Sequence, residues 1–249
     1  MRNPFDITPY RFDISTLIDE LLDKKKEKHL YIVTPNINHI CQLNESSTLR
    51  DAYRAAAYHV CDSKILSPIF KVLTGTTPPV IPGSTLTAEL FKLTNTIELS
   101  FCVIGSNKQD IEAIKSTYPN ATVHHHSPPM GFINSPEEVN KCINYIISKK
   151  ADFTIYAVGC PRQEILAMRV TESSKACGIG LCVGASIDFL SGRTKRAPIW
   201  VQRIRMEWAF RILSEPKRLA KRYLHDALAL PRILYSEYSI MRQSQKTEK

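Results

Sequence analysis

The stretch DFTIYAVGCPRQEILAM, residues 152–168, decides the fold. DFTIYAVG (152–159) is a nearly continuous apolar run, the pattern of a strand buried on both faces. After the Gly-Cys-Pro turn, Ile165, Leu166, Ala167 and Met168 begin a helix-like segment over 162–176. A buried strand that turns through glycine into a helix is the repeating unit of an α/β domain. The same alternation extends outward in both directions. Further strands are expected at HLYIVTP (29–35), ELSFCVIGS (98–106), ATVHHH (121–126) and IGLCVGAS (179–186). Helices are expected over 37–57, 108–118 and 136–148, the last opened by Ser135-Pro136-Glu137-Glu138 with proline at its first position. The reading is an α/β fold with a mainly parallel sheet flanked by helices.

Sheets of this kind bind ligands beyond the carboxyl ends of their strands. That rule selects Thr34-Pro35-Asn36, Gly105-Ser106-Asn107, Gly159-Cys160-Pro161-Arg162-Gln163-Glu164 and Gly184-Ala185-Ser186. Backbone N–H groups at the following helix starts suit phosphate. None of these segments spells GxGxxG, and the chain has no GxxxxGK[ST], which argues against hydride chemistry with NAD and against P-loop hydrolysis.

The chain has 249 residues, 43% hydrophobic and 23% charged, ample for a buried core and too apolar for disorder. No apolar run reaches the ~18 residues of a membrane span, and MRNPFDITPYRFD lacks the apolar stretch of a secretory signal. The seven cysteines are odd in number and scattered, so reduced thiols are expected. Without short paired spacings no metal site is expected, and His124-His125-His126 reads as a loop or strand-end feature.

Charge is strongly polarised. Residues 1–192 hold 19 basic and 19 acidic side chains, whereas residues 193–249 hold 14 and 5, so the whole net charge of +9 lies in the last segment. Such asymmetry points to an anionic partner. Trp200, Ile204 and Trp208 share one helical face there. Ser214-Glu215-Pro216 opens another helix, with Leu219 and Tyr223 on one face and Lys217, Arg218, Lys221 and Arg222 alongside. This is the composition of a helix lying on anionic lipid. A hairpin packed on the domain would use the same apolar residues.

VGCPRQEILA (158–167) and VGASIDFLSGRTKRAPIWVQRIRMEWAFRILSEPKRLAKRYL (183–224) resemble the WecG/TagA/CpsF glycosyltransferase family. TPN (34–36), the aspartate of CDSK (61–64), PGSTLT (82–87) and SPPMGF (127–132) follow in the family's order. The resemblance implies a Rossmann-like catalytic domain over 1–192 and a basic amphipathic helical appendage over 193–249 that associates with membrane. It implies inverting transfer of a sugar, N-acetylmannosamine or its uronic acid, from a UDP donor to a polyprenyl-diphosphate-linked N-acetylglucosamine acceptor. The setting it implies is bacterial surface-polysaccharide synthesis, with the enzyme peripheral on the cytoplasmic face of the membrane. No nucleic-acid partner is expected, and a homo-oligomer is left open.

Glycosyl transfer needs a base for the acceptor hydroxyl, donors for the departing diphosphate, and in-line placement of the acceptor. No Asp-x-Asp pair is present to hold a metal, so no cofactor is expected and protein cations must neutralise the diphosphate. By residue pattern, Asp62 serves equally as base or as cap of a helix starting at Ser63; the resemblance implies the catalytic aspartate. Thr34, Asn36, Gly105, Ser106, Gly159, Arg162 and Gln163 are candidate substrate-binding residues at strand ends. Glu164 reads as a first-turn carboxylate favoured by the helix dipole, and Asp188 as a turn-fixing residue. The resemblance adds Arg211, Arg218 and Lys221 as diphosphate-facing cations, whereas Trp200, Trp208 and Arg222 are assigned to the membrane. Val80 stands where many relatives have an arginine, leaving Lys71 or the tail to supply that charge. Two other readings compete: nucleic-acid binding through the basic tail, and a non-catalytic scaffold docked by it.

Overall fold

Six strands form the centre of the computed structural model: β1 (Leu30–Val33), β2 (Tyr58–His59), β3 (Ser100–Gly105), β4 (Thr122–His126), β5 (Phe153–Ala157) and β6 (Ile179–Cys182). All neighbours pair in parallel, in the order β2-β1-β6-β5-β3-β4. The structure describes residues 3–195, 197, 198, 201 and 206–247, and for residues 208, 211, 217, 218 and 243–247 the backbone alone.

Successive strand residues point to opposite faces, and here both faces are covered. Tyr31, Val33, Cys102, Ile104, Tyr156 and Cys182 enter one core layer. Ile32, Phe101, Val103, Phe153, Ile155 and Leu181 enter the other. Burial on both faces is why these strands read as unbroken apolar runs rather than alternating ones. Gly180 admits close packing: a Cβ there would lie 2.8 Å from the Tyr156 ring and 2.9 Å from both His29 Nε2 and Tyr31 Cβ. β4 departs from the expectation of two-sided burial. It is the edge strand, its side chains are exposed or half-buried, and the histidine triplet lies along it. His125 Nε2 lies 3.0 Å from the Gly105 carbonyl, and His126 packs against the Tyr145 ring.

The helices begin where the sequence supplies caps. In α1 (Ile14–Lys24) Asp13 accepts the Thr16 N–H, and in α6 (Lys108–Thr117) Asn107 accepts the Asp110 N–H. Ser135 caps α7 (Pro136–Lys149) as expected. The single helix expected over 37–57 is two, α2 (Ile37–Glu45) and α3 (Ser47–Ala55). Ser46 divides them: its N–H still reaches the Gln42 carbonyl at 2.9 Å, while its hydroxyl takes the Leu49 N–H at 3.2 Å. The remaining helices of the α/β part are α4 (Leu66–Thr74), α5 (Gly83–Lys92), α8 (Arg162–Glu172) and the short α9 (Ser186–Leu190).

Beyond it come α10 (Glu207–Ser214) and the long α11 (Pro216–Thr247), with Pro216 at the start as the sequence suggests. α11 packs along α2. Asn38 Nδ2 donates to Asp226 Oδ1 at 3.0 Å, and buried Glu237 accepts the Phe5 N–H at 2.8 Å. Leu219, Ile233 and Met241 are buried on this side. The opposite side leaves Leu224, Leu228 and Tyr235 exposed, at 63%, 74% and 76%. The packed hairpin and the exposed amphipathic surface are therefore two faces of one helix. Among the described residues, no helix is long and apolar enough to cross a membrane.

Candidate active site

A cleft lies over the carboxyl ends of β1, β5 and β6, roofed by α11 and the segment after α9. Asn36, Asn38, Asp62, Ser84, Lys195 and Arg222 line its centre. Strand ends and the basic appendage thus meet in one place.

Asp62 follows β2 in an extended segment whose own N–H is held by the Pro35 carbonyl at 3.1 Å. Its carboxylate does not cap α4. That helix starts at Leu66, and Ser63 Oγ takes the N–H groups of Ile65 and Leu66 at 3.2 and 3.1 Å. Asp62 Oδ1 instead accepts the N–H of Gly83, the first residue of α5, at 2.9 Å. One carboxylate oxygen is fixed by the Pro82-Gly83-Ser84 turn, and the residue faces the cleft. A Cβ on Gly83 would lie 3.1 Å from Val183 Cβ, so glycine lets that turn sit close to the end of β6.

Thr34 and Asn36 line the cleft, but part of each is engaged locally. Thr34 donates to the Cys182 carbonyl at 2.8 Å, tying β1 to β6, and Asn36 Oδ1 caps α2 by accepting the His39 N–H at 3.2 Å. Gly159 and Arg162 line the same wall; Gly159 has φ 75°, and Arg162 Nη1 lies 3.9 Å from Met130 Sδ in the SPPMGF loop. Gln163 is 1% exposed. Its amide nitrogen donates to Glu164 at 2.7 Å and its oxygen accepts the Gly184 N–H at 3.1 Å, so it braces two strand-end loops against each other. Gln163 also lines the cleft.

Gly105 and Ser106, also expected at the site, do not line this cleft. Gly105 is required by packing: φ is 95° and a Cβ would lie 2.7 Å from the Ala157 carbonyl oxygen. Ser106 Oγ donates to Asp110 at 3.0 Å. Asp110 also accepts from Ser191 and from Arg193 Nε, and Arg193 in turn pairs with Asp188. Asp188 thus fixes the DFLSGRT turn, as expected. That turn carries the chain to Lys195.

The appendage residues are redistributed. Lys221 is exposed and lines no part of the cleft, whereas Arg222, assigned by sequence to the membrane, reaches into it. Arg222 Nε is buried with no hydrogen-bond partner among the described residues, and its guanidinium lies 5.3 Å from the Tyr223 ring centroid. Lys71, on α4, is exposed and also lies outside the cleft, so the charge missing at Val80 is not restored from there. Among the described residues, Lys64, Arg162, Lys195 and Arg222 are the Lys and Arg side chains that line it. Trp200 lies outside the described residues, as do the side chains of Trp208, Arg211 and Arg218.

Behind this wall Glu164 stands in the first turn of α8, as expected, and is wholly buried. Burial pushes its pKa up to about 7, against the opposing hydrogen bond from Gln163. His39, buried beside it, is held down to about 4 by burial and then by the charge of Arg222, so its ring is neutral at pH 7. Sequence reasoning missed Asn38, Ser84 and Lys195. Asn38 lies two residues beyond Asn36, whereas Ser84 and Lys195 stand inside the quoted segments PGSTLT (82–87) and 183–224 without having been singled out.

A carboxylate fixed at one oxygen in a strand-end cleft that Lys64, Arg162, Lys195 and Arg222 also line suits displacement of an anionic leaving group by a hydroxyl. Comparison with known proteins agrees. The model of the "Glycosyl transferase WecG/TagA/CpsF family" matches residues 3–245. Two similar proteins, from Staphylococcus aureus strains MW2 and NCTC 8325, are named N-acetylglucosaminyldiphosphoundecaprenol N-acetyl-beta-D-mannosaminyltransferase. Each is 25% identical over 226 residues, covering 87% of this chain and 87% of the relative. With nearly the whole chain matched and the strand-end cleft in place, the protein belongs to the WecG/TagA/CpsF family and is a glycosyltransferase.

Proposed function

We propose that the chain transfers an N-acetylmannosamine-type sugar from a UDP donor to N-acetylglucosamine carried on a polyprenyl diphosphate. The observation that carries this reading is the convergence of Asp62, Lys195 and Arg222 on one cleft at the strand ends. The names of the Staphylococcus aureus relatives support the acceptor and the transferred sugar.

In this reading Asp62 accepts the proton of the attacking acceptor hydroxyl. The Gly83 N–H holds one carboxylate oxygen and so orients the group towards the cleft. The hydroxyl attacks the anomeric carbon from the side opposite the diphosphate, inverting the configuration in one displacement. Arg222 and Lys195 receive the negative charge that builds on the leaving UDP, work that a metal does in enzymes with an Asp-x-Asp pair. The test is transfer in liposomes containing the lipid-linked N-acetylglucosamine, with a panel of UDP-sugars. Product is expected with UDP-N-acetylmannosamine or its uronic acid, undiminished by EDTA. Abolition by EDTA with rescue by Mg2+ or Mn2+ would place the diphosphate on a metal instead. No transfer from any UDP-sugar would reject the donor class.

The acceptor resides in a membrane, and α11 offers a way to reach it. Leu224, Leu228, Tyr235 and Tyr238 are exposed along one side of the helix, flanked by Lys221, Arg232 and Arg242. Exposed apolar and basic side chains together favour anionic lipid, each basic residue contributing roughly 1 kcal/mol near the surface. The enzyme is accordingly peripheral on the cytoplasmic face, with α11 in the interface. The variant L224S/L228S/Y235S leaves the buried face of α11 intact. It is expected to lose most sedimentation with anionic vesicles while keeping its thermal unfolding temperature. Unchanged sedimentation would move the anchor elsewhere.

A further inference from the structure

His39, Cys160 and Glu164 come from two distant parts of the chain and meet in the wall of the cleft. One donor atom from each lies within 4.8 Å of the others. His39 Nδ1 is 4.0 Å from Glu164 Oε1, and the Cys160 sulfur lies within 4.8 Å of a donor atom of each. Glu164 Oε2 is buried with no hydrogen-bond partner among the described residues, an expensive arrangement for a carboxyl oxygen. His39 and Cys160 both line the cleft, which gives solvent a path to the cluster.

We propose that this cluster is a binding site for one zinc-class ion, separate from the transfer chemistry. The donor set is one thiolate, one imidazole and one carboxylate. That combination favours Zn2+ or Co2+ over Mg2+ and Mn2+, which prefer all-oxygen shells. Bonds of ~2.0–2.3 Å to a tetrahedral zinc keep donor pairs within about 4 Å of one another, so side-chain rotations suffice to close the cluster. Three protein donors leave a fourth position for water.

The charges balance. Cys160 is a thiol in the empty cluster, since burial and then the neighbouring Glu164 push its pKa well up. Metal binding breaks its S–H bond, forms a metal–sulfur bond and releases the proton to solvent. Thiolate and carboxylate together neutralise the dication. The groups facing the cluster are compatible with this. Gln163 donates to Glu164, Tyr53 hydroxyl lies 2.7 Å from His39 Nδ1, Gln42 Oε1 lies 3.7 Å from Cys160 Sγ, and Arg222 is the nearby cation. Tyr53 must release Nδ1 if that nitrogen is the ligand.

The test is titration of the full chain with Co2+ under reducing, oxygen-free conditions, read by absorbance rather than turnover. One equivalent is expected to produce a thiolate-to-cobalt charge-transfer band with the visible bands of a tetrahedral ion, both displaced by Zn2+ and not by Mg2+. Cys160→Ser is expected to remove the charge-transfer band, and Glu164→Gln to weaken binding at least tenfold. Circular dichroism of both variants checks that they fold. Should Cys160→Ser fail to fold, alkylation of wild-type thiols with and without bound Zn2+ identifies the protected cysteine. No thiolate band in the wild type, a band that survives Cys160→Ser, or protection of a different cysteine would overturn the assignment. Because no outcome depends on transfer, failure here is distinguishable from failure of the proposed glycosyl reaction.

Discussion

Replacing Asp62 by Asn is expected to lower turnover by at least about a hundredfold, the usual scale for loss of a general base. That factor corresponds to ~2.7 kcal/mol in the barrier. The substitution suits the site because the fixed oxygen survives. The carboxamide oxygen of the variant can still accept the Gly83 N–H, so the contact between the β2–α4 segment and the α5 turn is kept. The group lost is a carboxylate oxygen that can take a proton. Folding, judged by circular dichroism and thermal unfolding, is expected to be unchanged, as is the apparent affinity for UDP. Steady-state kinetics at saturating donor check the claim. Near-normal turnover would remove Asp62 as the base, and a large fall in unfolding temperature would show that its role is to hold the turn.

The same aspartate shows what was legible in the sequence. The expected helix from Ser63 placed it at a helix start, and the family segment CDSK implied its role. Capping and catalysis could not be separated by pattern, because Asp serves both. The separation required seeing Ser63 take the α4 N–H groups and Gly83 reach across from another element. The sheet was legible because parallel strands buried on both faces leave long apolar runs. Its edges were less so: β2 is two residues long, and β4 reads like a core strand while lying at the rim. Gly105 and Ser106 lie outside the cleft. They end a strand on the correct side of the sheet, but β3 lies towards the far edge, and strand order is not written in local sequence. The His39, Cys160 and Glu164 cluster was invisible for a related reason. Metal spacing rules look for near neighbours, and these residues meet only when β1 and β5 are placed in one sheet with α2 and α8 above their ends.

Arg222→Ala is expected to reduce kcat/KM for the UDP donor by ten- to a hundredfold, ~1.4–2.7 kcal/mol by the rate relation, whereas Lys221→Ala changes it by less than threefold. The two residues are adjacent and carry the same charge, so composition and net charge cannot tell them apart. Helix geometry can, because consecutive residues are rotated by roughly 100° around the axis. With α11 docked on α2 through Asp226, that rotation turns Arg222 into the cleft and Lys221 out to solvent. An arginine with a buried Nε lacking a partner among the described residues is poised for an anionic ligand, since a charged donor without an acceptor is costly and a phosphate oxygen removes the cost. The expected effects separate by assay. Arg222→Ala weakens competitive inhibition by UDP and lowers transfer even to a water-soluble acceptor analogue. Lys221→Ala weakens vesicle binding at low salt and leaves solution transfer intact. Arg222→Lys restores part of the activity, because charge returns without the planar fork that binds two phosphate oxygens at once. If Lys221→Ala abolishes solution transfer and Arg222→Ala does not, the appendage engages the donor through its other side, and α11 must rotate or shift on α2 before the reaction takes place.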